Sequence, residues 1–495
     1  MLSTQTHKNY IDGKWAEPKG AKTFESRNPA HQTEVVGVFP RSSAVDVDAA
    51  VQAAKKAFRG WRLTPAPVRA EFLYKVAELI KTHKEELAQL MTREMGKVLK
   101  EARGDVQEAI DLALYAAGEG RRLFGQTTPS ELPKKFAMSL RMPVGIVGIV
   151  TPWNFPMAIP MWKIAPSLVC GNTIVFKPAS DTPLCAAKLV ELFIEAGLPA
   201  GVLNLIHGSG EEAGNALLRH PDVQLISFTG SVAVGQEVAR AAADTKKRTA
   251  LELGGKNCIL VMDDADLDLA VDGAIWGAFG TSGQRCTASS RLIVHKKIVK
   301  EYTEKLLARA KELRLGDGLL QTTDVGPVIN SSRLKKIDEY IQIGKKEATL
   351  LTGGKINAEG PLQEGCFYEP TLFGDVKPNA VIAQEEIFGP VTAIIPVENL
   401  EEALNVANGV RYGLSSAIYT RDVNRAFHAI EDLYTGIVYI NSSTIGAEVH
   451  LPFGGTRDTG NGHREAGQTM LDTYTEWKTV YIDYSGKLQK AQGID

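Results

Sequence analysis

The chain has 495 residues, 44% apolar and 23% charged, with 56 Lys+Arg against 58 Asp+Glu, a length that holds about three domains or two large ones and buries a core without disulfide or metal staples. The net charge of -2 gives no general reason to expect a polyanion partner, and the longest apolar run, Met142 to Pro152, is too short for a bilayer. With five cysteines that cannot all pair, disulfide-scaffold, membrane-spanning, collagenous and disordered readings are excluded, and a cytoplasmic, enzyme-sized chain without nucleic-acid, membrane or metal partner is expected.

Met1 to Trp15 lacks the apolar core of a signal peptide. Asn9 to Trp15 reads as a hairpin turned by Asp12-Gly13. Val47, Ala50, Val51, Ala54 and Phe58 recur at helical spacing, as do Phe72, Val76, Leu79 and Ile80. A third helix is expected over Leu99 to Leu123, with Glu101, Asp105, Glu108 and Asp111 on it at helical spacing. From Val144 the texture changes: GIVGIVTPW, NTIVFKPAS, GVLNLIHG, VQLISFTG and RTALELGG each read as a strand ending in turn residues. Leu184 to Ala196 and Glu212 to Leu218 read as helices between them. This alternation predicts an α/β fold with a mainly parallel sheet, whose ligands sit at the carboxyl ends of the strands. A second α/β series starts near Lys256, with strands NCILVM, RLIVHKKIV and VTAIIPV and helices Asp266 to Phe279, Val299 to Leu313 and Leu400 to Ala407. The tail, Thr479 to Ser485, reads as an added strand suited to pairing with another subunit.

Candidate chemistry gathers after these strands. Cys170, Cys185, Cys258 and Cys366 lie in apolar or structural segments and read as small hydrophobes. Cys286 follows the flexible GTSGQR, and Arg285 beside it would favour the thiolate of a nucleophile; the alternative is a loop cysteine of no consequence. Glu252, between two leucines in LELGGK, is either an outward strand residue or a general base held in a dry pocket. Asn154 in TPWNFP can offer an amide to an oxyanion, or is a turn asparagine. Lys177 ends TIVFK at the crevice, where a nucleotide's ribose or phosphate would sit, or is simply solvated. For the pyrophosphate, Gly208-Ser-Gly210-Glu-Glu-Ala213 fits a dinucleotide fingerprint but carries two acids, so FTGSVAVG is preferred, with Gly230, Ser231 and Gly235 at a helix start. Glu386 could accept from a ribose and Phe388 could pack on a flat ring, or EEIFGP is an ordinary turn.

TPWNFP, NTIVFKPAS, FTGSVAVG, LELGGK, GQRCTAS, EEIFGP and PFGG occur in this order, and the whole chain resembles the NAD(P)-dependent aldehyde dehydrogenase superfamily. The resemblance implies that Cys286 attacks an aldehyde carbonyl. Asn154 and the Cys286 N–H form the oxyanion hole, and Glu252 activates the water that hydrolyses the thioester. Lys177 stands with them, and also with Trp153, Gly230, Ser231, Leu253, Glu386 and Phe388 at cofactor-contacting positions. The implied fold is a Rossmann-like cofactor domain (1–125 and 142–254, with 441–478 returning to it), an α/β catalytic domain (255–440) and a small β oligomerisation flap (126–141 and 479–495). Homodimers or homotetramers are implied. Ser180, where NAD-preferring relatives often carry Glu, leaves both NAD and NADP open. The segment GAE and the ending IDYSGKLQKAQGI are similar to the α-aminoadipic semialdehyde (antiquitin-type) branch. That likeness places Glu108, Arg285, Gly446 and Ala447 at the substrate, with an Arg285–Glu108 ion pair as the structural alternative. NGHREAG departs from the pattern by an inserted His463. Bacterial semialdehyde dehydrogenases are also similar, so a small carboxylate-bearing semialdehyde is the expected substrate. A CoA-acylating dehydrogenase and a non-catalytic binding protein on the same fold remain alternatives.

Overall fold

The five apolar stretches between Val144 and Gly254 form five parallel strands in a computed structural model of the chain, which describes residues 5–17, 19–20 and 22–492. Met1–Thr4 of the leader reading and positions 493–495 of the flap range lie outside the described residues. The strands run Arg248–Glu252, Leu225–Thr229, Ile146–Val150, Thr173–Lys177 and Leu203–Leu205 across the sheet, and the N-terminal hairpin is added antiparallel at its edge. That hairpin pairs Asn9–Ile11 with Lys14–Ala16 as expected, and both turn residues, Asp12 and Gly13, take positive φ.

Side chains alternate across this sheet, and each face has its own helices. Val147, Ile149, Ile174 and Phe176 pack with the helices Ala66–Thr82, Leu99–Glu119 and Ala158–Val169. Ile146, Val175, Ile226 and Phe228 pack with Ala44–Leu63 and Val232–Thr245 on the other face. The second sheet has seven strands, in the order Thr349–Thr352, Thr371–Gly374, Val391–Val397, Ser289–His295, Asn257–Val261, Ser415–Tyr419 and Ile437–Ile440. It is parallel except at its first edge. Two doubly covered, mainly parallel sheets make the chain an α/β protein with a Rossmann-like half. Among the described residues no helix is long and apolar enough to cross a membrane.

Several local expectations need correction. The tail does not lack a partner in its own chain. Thr475–Asp483 pairs antiparallel with Lys135–Pro143 from Thr475 opposite Pro143 to Asp483 opposite Lys135, and Gln126–Pro129 completes a three-stranded sheet. The helix from Leu99 ends at Glu119 rather than Leu123. Glu212 to Leu218 is not one helix: a π-turn over Gly210–Gly214 precedes the short helix Asn215–Arg219. Among the helices that went unread are Lys84–Met95, Ser331–Glu347 and Val423–Asp432, each rich in charge, and the apolar Ala158–Val169, whose near-continuous apolar run shows no amphipathic period.

Buried charge fixes how the helices meet the first sheet. Lys97 Nζ lies 2.8 Å from Asp105, both side chains fully buried. The other Asp105 oxygen accepts from Ala158 N–H at 2.8 Å, tying the helix Leu99–Glu119 to the start of Ala158–Val169, four residues after Asn154. Removing one partner of such a pair strands a buried charge, at a cost of about 3–5 kcal/mol.

Candidate active site

The loop that carries Cys286 is held in a conformation only some residues accept. Thr281, Ser282 and Gly283 take φ of 52°, 55° and 68° in succession, and a Cβ on Gly283 would stand 2.0 Å from the Gly389 carbonyl. Glu101 accepts from Thr281 N–H at 2.9 Å, Ser282 Oγ donates to Gly326 O at 2.7 Å, and Gln284 Oε1 accepts from Ile329 N–H at 2.9 Å. On the far side Asn257 Nδ2 donates to Cys286 O at 2.7 Å. Asn154 meets the same loop: its Nδ2 donates to Gln284 O at 3.1 Å, while its buried Oδ1 has no partner among the described residues. An amide nitrogen has two hydrogens, so one remains for a ligand oxygen beside Cys286.

Arg285 does not activate its neighbour. Its Nε donates to Thr281 Oγ1 at 2.9 Å and its Nη2 to Glu101 at 3.1 Å, so Glu101, not Glu108, is its ion-pair partner. Burial, then the carboxylates of Glu252, Glu386 and Glu108, push the Cys286 thiol up to about 12. The expected thiolate is therefore replaced by a resting thiol. The guanidinium lies 5.3 Å over the Phe155 ring, whose other cation, Lys97 Nζ, is 3.8 Å from the centroid. Its Nη1 bonds to none of the described residues. Glu108 is half-buried, and burial followed by Asp105 raises its carboxyl to about 8, against the pull of Arg285. Gly446, at φ 108°, is exposed with only Trp276 near its Cβ position, and Ala447 follows it half-buried.

Glu252 is buried, not outward-facing. Neither carboxyl oxygen has a hydrogen-bond partner among the described residues. Burial, then Glu465, raises it well above the ordinary range, with Lys163 and Arg464 opposing. PFGG abuts it: a Cβ on Gly454 would lie 2.8 Å from Glu252 Oε1. Lys163 and Glu465, buried and salt-bridged to each other, were not singled out from the sequence. Their signal was there, since Lys163 is the single charge in the apolar helix AIPMWKIAPSLV.

A crevice opens at the carboxyl ends of the first sheet. Thr151 and Thr229, just past or at the ends of adjacent parallel strands, each bury a hydroxyl that no described residue satisfies. Lys177 Nζ, its ammonium lowered to about 8 by burial, donates to Pro178 O at 2.8 Å and Gly208 O at 3.2 Å. Ser180 Oγ joins it on Gly208 O at 3.1 Å. The Gly208 fingerprint thus spends its carbonyl on these two side chains. The preferred FTGSVAVG start is also partly spent. Ser231 Oγ caps its own helix at Val234, Gly230 N–H goes to Glu252 O, and Gly235 N–H goes to Ser231 O. Gly235 instead makes room for Leu253, whose side chain would lie 2.4 Å from a Cβ. The first-turn N–H groups of Val232 and Ala233 remain as donors. Glu386 reaches the LGG turn, accepting from Gly255 N–H at 3.0 Å. Beside it Phe388, at φ 56°, meets Trp153 edge-on at 5.5 Å. Unsatisfied hydroxyls, a lysine, a helix start and a carboxylate along one crevice fit a dinucleotide.

A family model described as "Aldehyde dehydrogenase family" matches residues 15–480. The chain is 43% identical to an alpha-ketoglutaric semialdehyde dehydrogenase of Bacillus subtilis over 97% of this chain and 99% of that one. It is 41% identical to a malonate-semialdehyde dehydrogenase of Geobacillus kaustophilus, over 96% and 98%. The structure is similar to that of betaine aldehyde dehydrogenase of Staphylococcus aureus in complex with NAD+, at TM-score 0.95 and 36% identity, covering 97% of this chain and 95% of that one.

Proposed function

We propose, from the premise that the chain belongs to the aldehyde dehydrogenase family and is an NAD(P)-dependent oxidoreductase, that it oxidises a small carboxylate-bearing semialdehyde to the diacid. The observation that carries the substrate class is the free Nη1 of Arg285, held over Phe155 one residue from the thiol. A guanidinium fixed on two of its nitrogens offers the third to a carboxylate in a set direction. The substrates in the names of the B. subtilis and G. kaustophilus relatives are carboxylate semialdehydes, which supports the same class. Glu108, nearly neutral at pH 7, adds no strong repulsion, and Gly446 and Ala447 would line the far end.

Cys286 Sγ bonds the aldehyde carbon as its S–H bond breaks and the proton passes to solvent water, leaving the charge on the aldehyde oxygen. Asn154 Nδ2 and the Cys286 N–H steady the oxygen that gains charge. Bound NAD(P)+ supplies the hydride acceptor, held by Lys177, Ser180, Gly230, Ser231, Glu386 and Phe388, with Trp153, Gly235 and Leu253 shaping the crevice. Glu252 then takes a proton from water, whose oxygen attacks the thioester. A buried base poised on water favours hydrolysis over transfer to CoA. The first sheet with its helices (1–125, 142–254 and 441–478) serves as the cofactor domain and residues 255–440 as the catalytic domain. The three-stranded sheet of Gln126–Pro129, Lys135–Pro143 and Thr475–Asp483 serves as the oligomerisation flap of a cytoplasmic homodimer or homotetramer. Its exposed Phe136, Leu140, Trp477 and Tyr481 support that role, and five free cysteines suit a reducing compartment.

The test is steady-state kinetics on paired aldehydes of equal length, with and without a terminal carboxylate. The carboxylate member is expected to win in kcat/KM by roughly tenfold or more, and Arg285→Met to erase that margin. Equal rates on both members would refute the substrate class. For the cofactor, Ser180→Glu is expected to raise KM for NADP+ by at least about tenfold with little change for NAD+, because a carboxylate beside Lys177 repels a 2′-phosphate. Initial rates with both cofactors check it.

A further inference from the structure

One turn of the crevice is held from a single direction. Among the described residues the carbonyls of Ile387 and Phe388 bond only to Arg333, whose Nη2 donates to Ile387 O at 2.6 Å and whose Nε donates to Phe388 O at 3.3 Å. The same guanidinium lies 5.3 Å over the Phe388 ring, the ring that meets Trp153 edge-on. Phe388 takes its φ of 56° without being glycine, and such a residue stays left-handed only where its surroundings hold it. Gly389 is seated on the next turn of the same helix: a Cβ there would stand 2.4 Å from Ile337 Cδ1. Arg333 and Ile337 are one turn apart on Ser331–Glu347, so one helix face carries both the clasp and the seat. The start of that helix is itself fixed. Asn330 Oδ1 caps it by accepting from Arg333 N–H at 2.8 Å, and Asn330 Nδ2 donates to Asp181, the residue after Ser180, at 2.8 Å. One residue earlier, Ile329 N–H holds Gln284. Burial raises the Glu386 carboxyl, and the Gly255 N–H followed by Arg333 pull it back.

We infer that Arg333 is a positioning residue for the cofactor: its clasp on two successive carbonyls holds Phe388, and Glu386 just before them, in the arrangement that NAD(P)+ meets. The inference rests on Phe388 and Glu386 being cofactor contacts, and Arg333 acts through them. The crevice is then ordered before the dinucleotide arrives. With the clasp cut, the turn relaxes, and binding has to restore it, which weakens affinity without touching the thiol chemistry. A planar fork with several donors suits two neighbouring carbonyls, whereas an ammonium is a single point of charge.

The test uses the full chain and two readouts: KM for NAD(P)+ at saturating aldehyde, and hydrolysis of p-nitrophenyl acetate, which acylates a thiol without any cofactor. Arg333→Met, similar in reach but without donors, is expected to raise KM for NAD(P)+ roughly tenfold, with kcat within about threefold and ester hydrolysis near the wild-type rate. Arg333→Lys is expected to recover only a small part of the loss. In a Phe388→Ala background, Arg333→Met is expected to add less than about threefold, because both changes act on one contact. An unchanged KM in Arg333→Met would overturn the clasp, as would full recovery by lysine or the whole tenfold appearing in the Phe388→Ala background. Parallel losses of cofactor affinity and ester hydrolysis would also overturn it, since they mark a general loosening of the fold. Phe388→Ala and Glu386→Gln alone separate the two claims. If neither raises KM for NAD(P)+, the cofactor reading of this segment falls; if they raise it while the Arg333 variants do not, only the clasp falls.

Discussion

Cys286→Ala is expected to lower aldehyde oxidation by at least about 10⁴-fold while leaving NAD(P)+ affinity unchanged. The reason lies in what the loop is built around. Three successive left-handed residues, the Gly283–Gly389 contact and the Asn257 clasp hold the backbone on both sides of Cys286, and Asn154 bonds the carbonyl of Gln284 two residues before it. Alanine keeps that backbone and its N–H, so oxygen-binding and cofactor-binding groups stay in place and only the covalent step disappears. Cofactor titration by quenching of tryptophan fluorescence, with Trp153 at the crevice, measures the first half, and NAD(P)H absorbance the second. Residual turnover near the wild-type rate would exclude Cys286 as the nucleophile.

Glu252→Gln is expected to release one burst of NAD(P)H per site and then slow by about 10²–10⁴-fold. Glutamine fills the same volume between the leucines but takes no proton from water, so the acyl group remains on Cys286. The wild-type steady rate should also carry a pH signature. Burial holds the carboxyl well above its ordinary value, so it is mostly neutral at low pH and becomes a base as pH rises through that raised value. Deacylation therefore climbs with pH in the wild type, and that climb vanishes in the variant. Stopped-flow absorbance across a pH series checks both parts; a linear trace without a burst would argue against the base role.

The parallel strands were readable because each is a short apolar run closed by Gly, Pro or Asn. Glu252 and Asn154 were singled out as candidates at or just after the ends of Arg248–Glu252 and Ile146–Val150, and Cys286 as a candidate by the flexible GTSGQR before it. What the sequence concealed was partnership across distance. Arg285 pairs with Glu101, 184 positions away, and no local pattern distinguishes that acid from Glu108, two helical turns along. Lys163 and Glu465 lie 302 positions apart and become partners only when the final turn folds over the apolar helix. The charge-rich helices were missed for a related reason: their buried stripe is narrow, and tertiary packing rather than periodicity stabilises them.

The antiparallel pairing of Thr475–Asp483 with Lys135–Pro143 has a consequence for biosynthesis. Arg141 and Thr475, joined by a 2.9 Å hydrogen bond, are 334 residues apart. At about 5–20 residues per second, the earlier strand emerges from the ribosome on the order of tens of seconds before its mate. Throughout that interval it presents an open edge bearing Phe136 and Leu140. Asn172 meanwhile waits for the Tyr474 carbonyl and Ser227 for the Tyr474 hydroxyl. The pairing of Lys135–Pro143 with Thr475–Asp483 therefore forms only after the 334 residues that lead from Arg141 to Thr475 have been made.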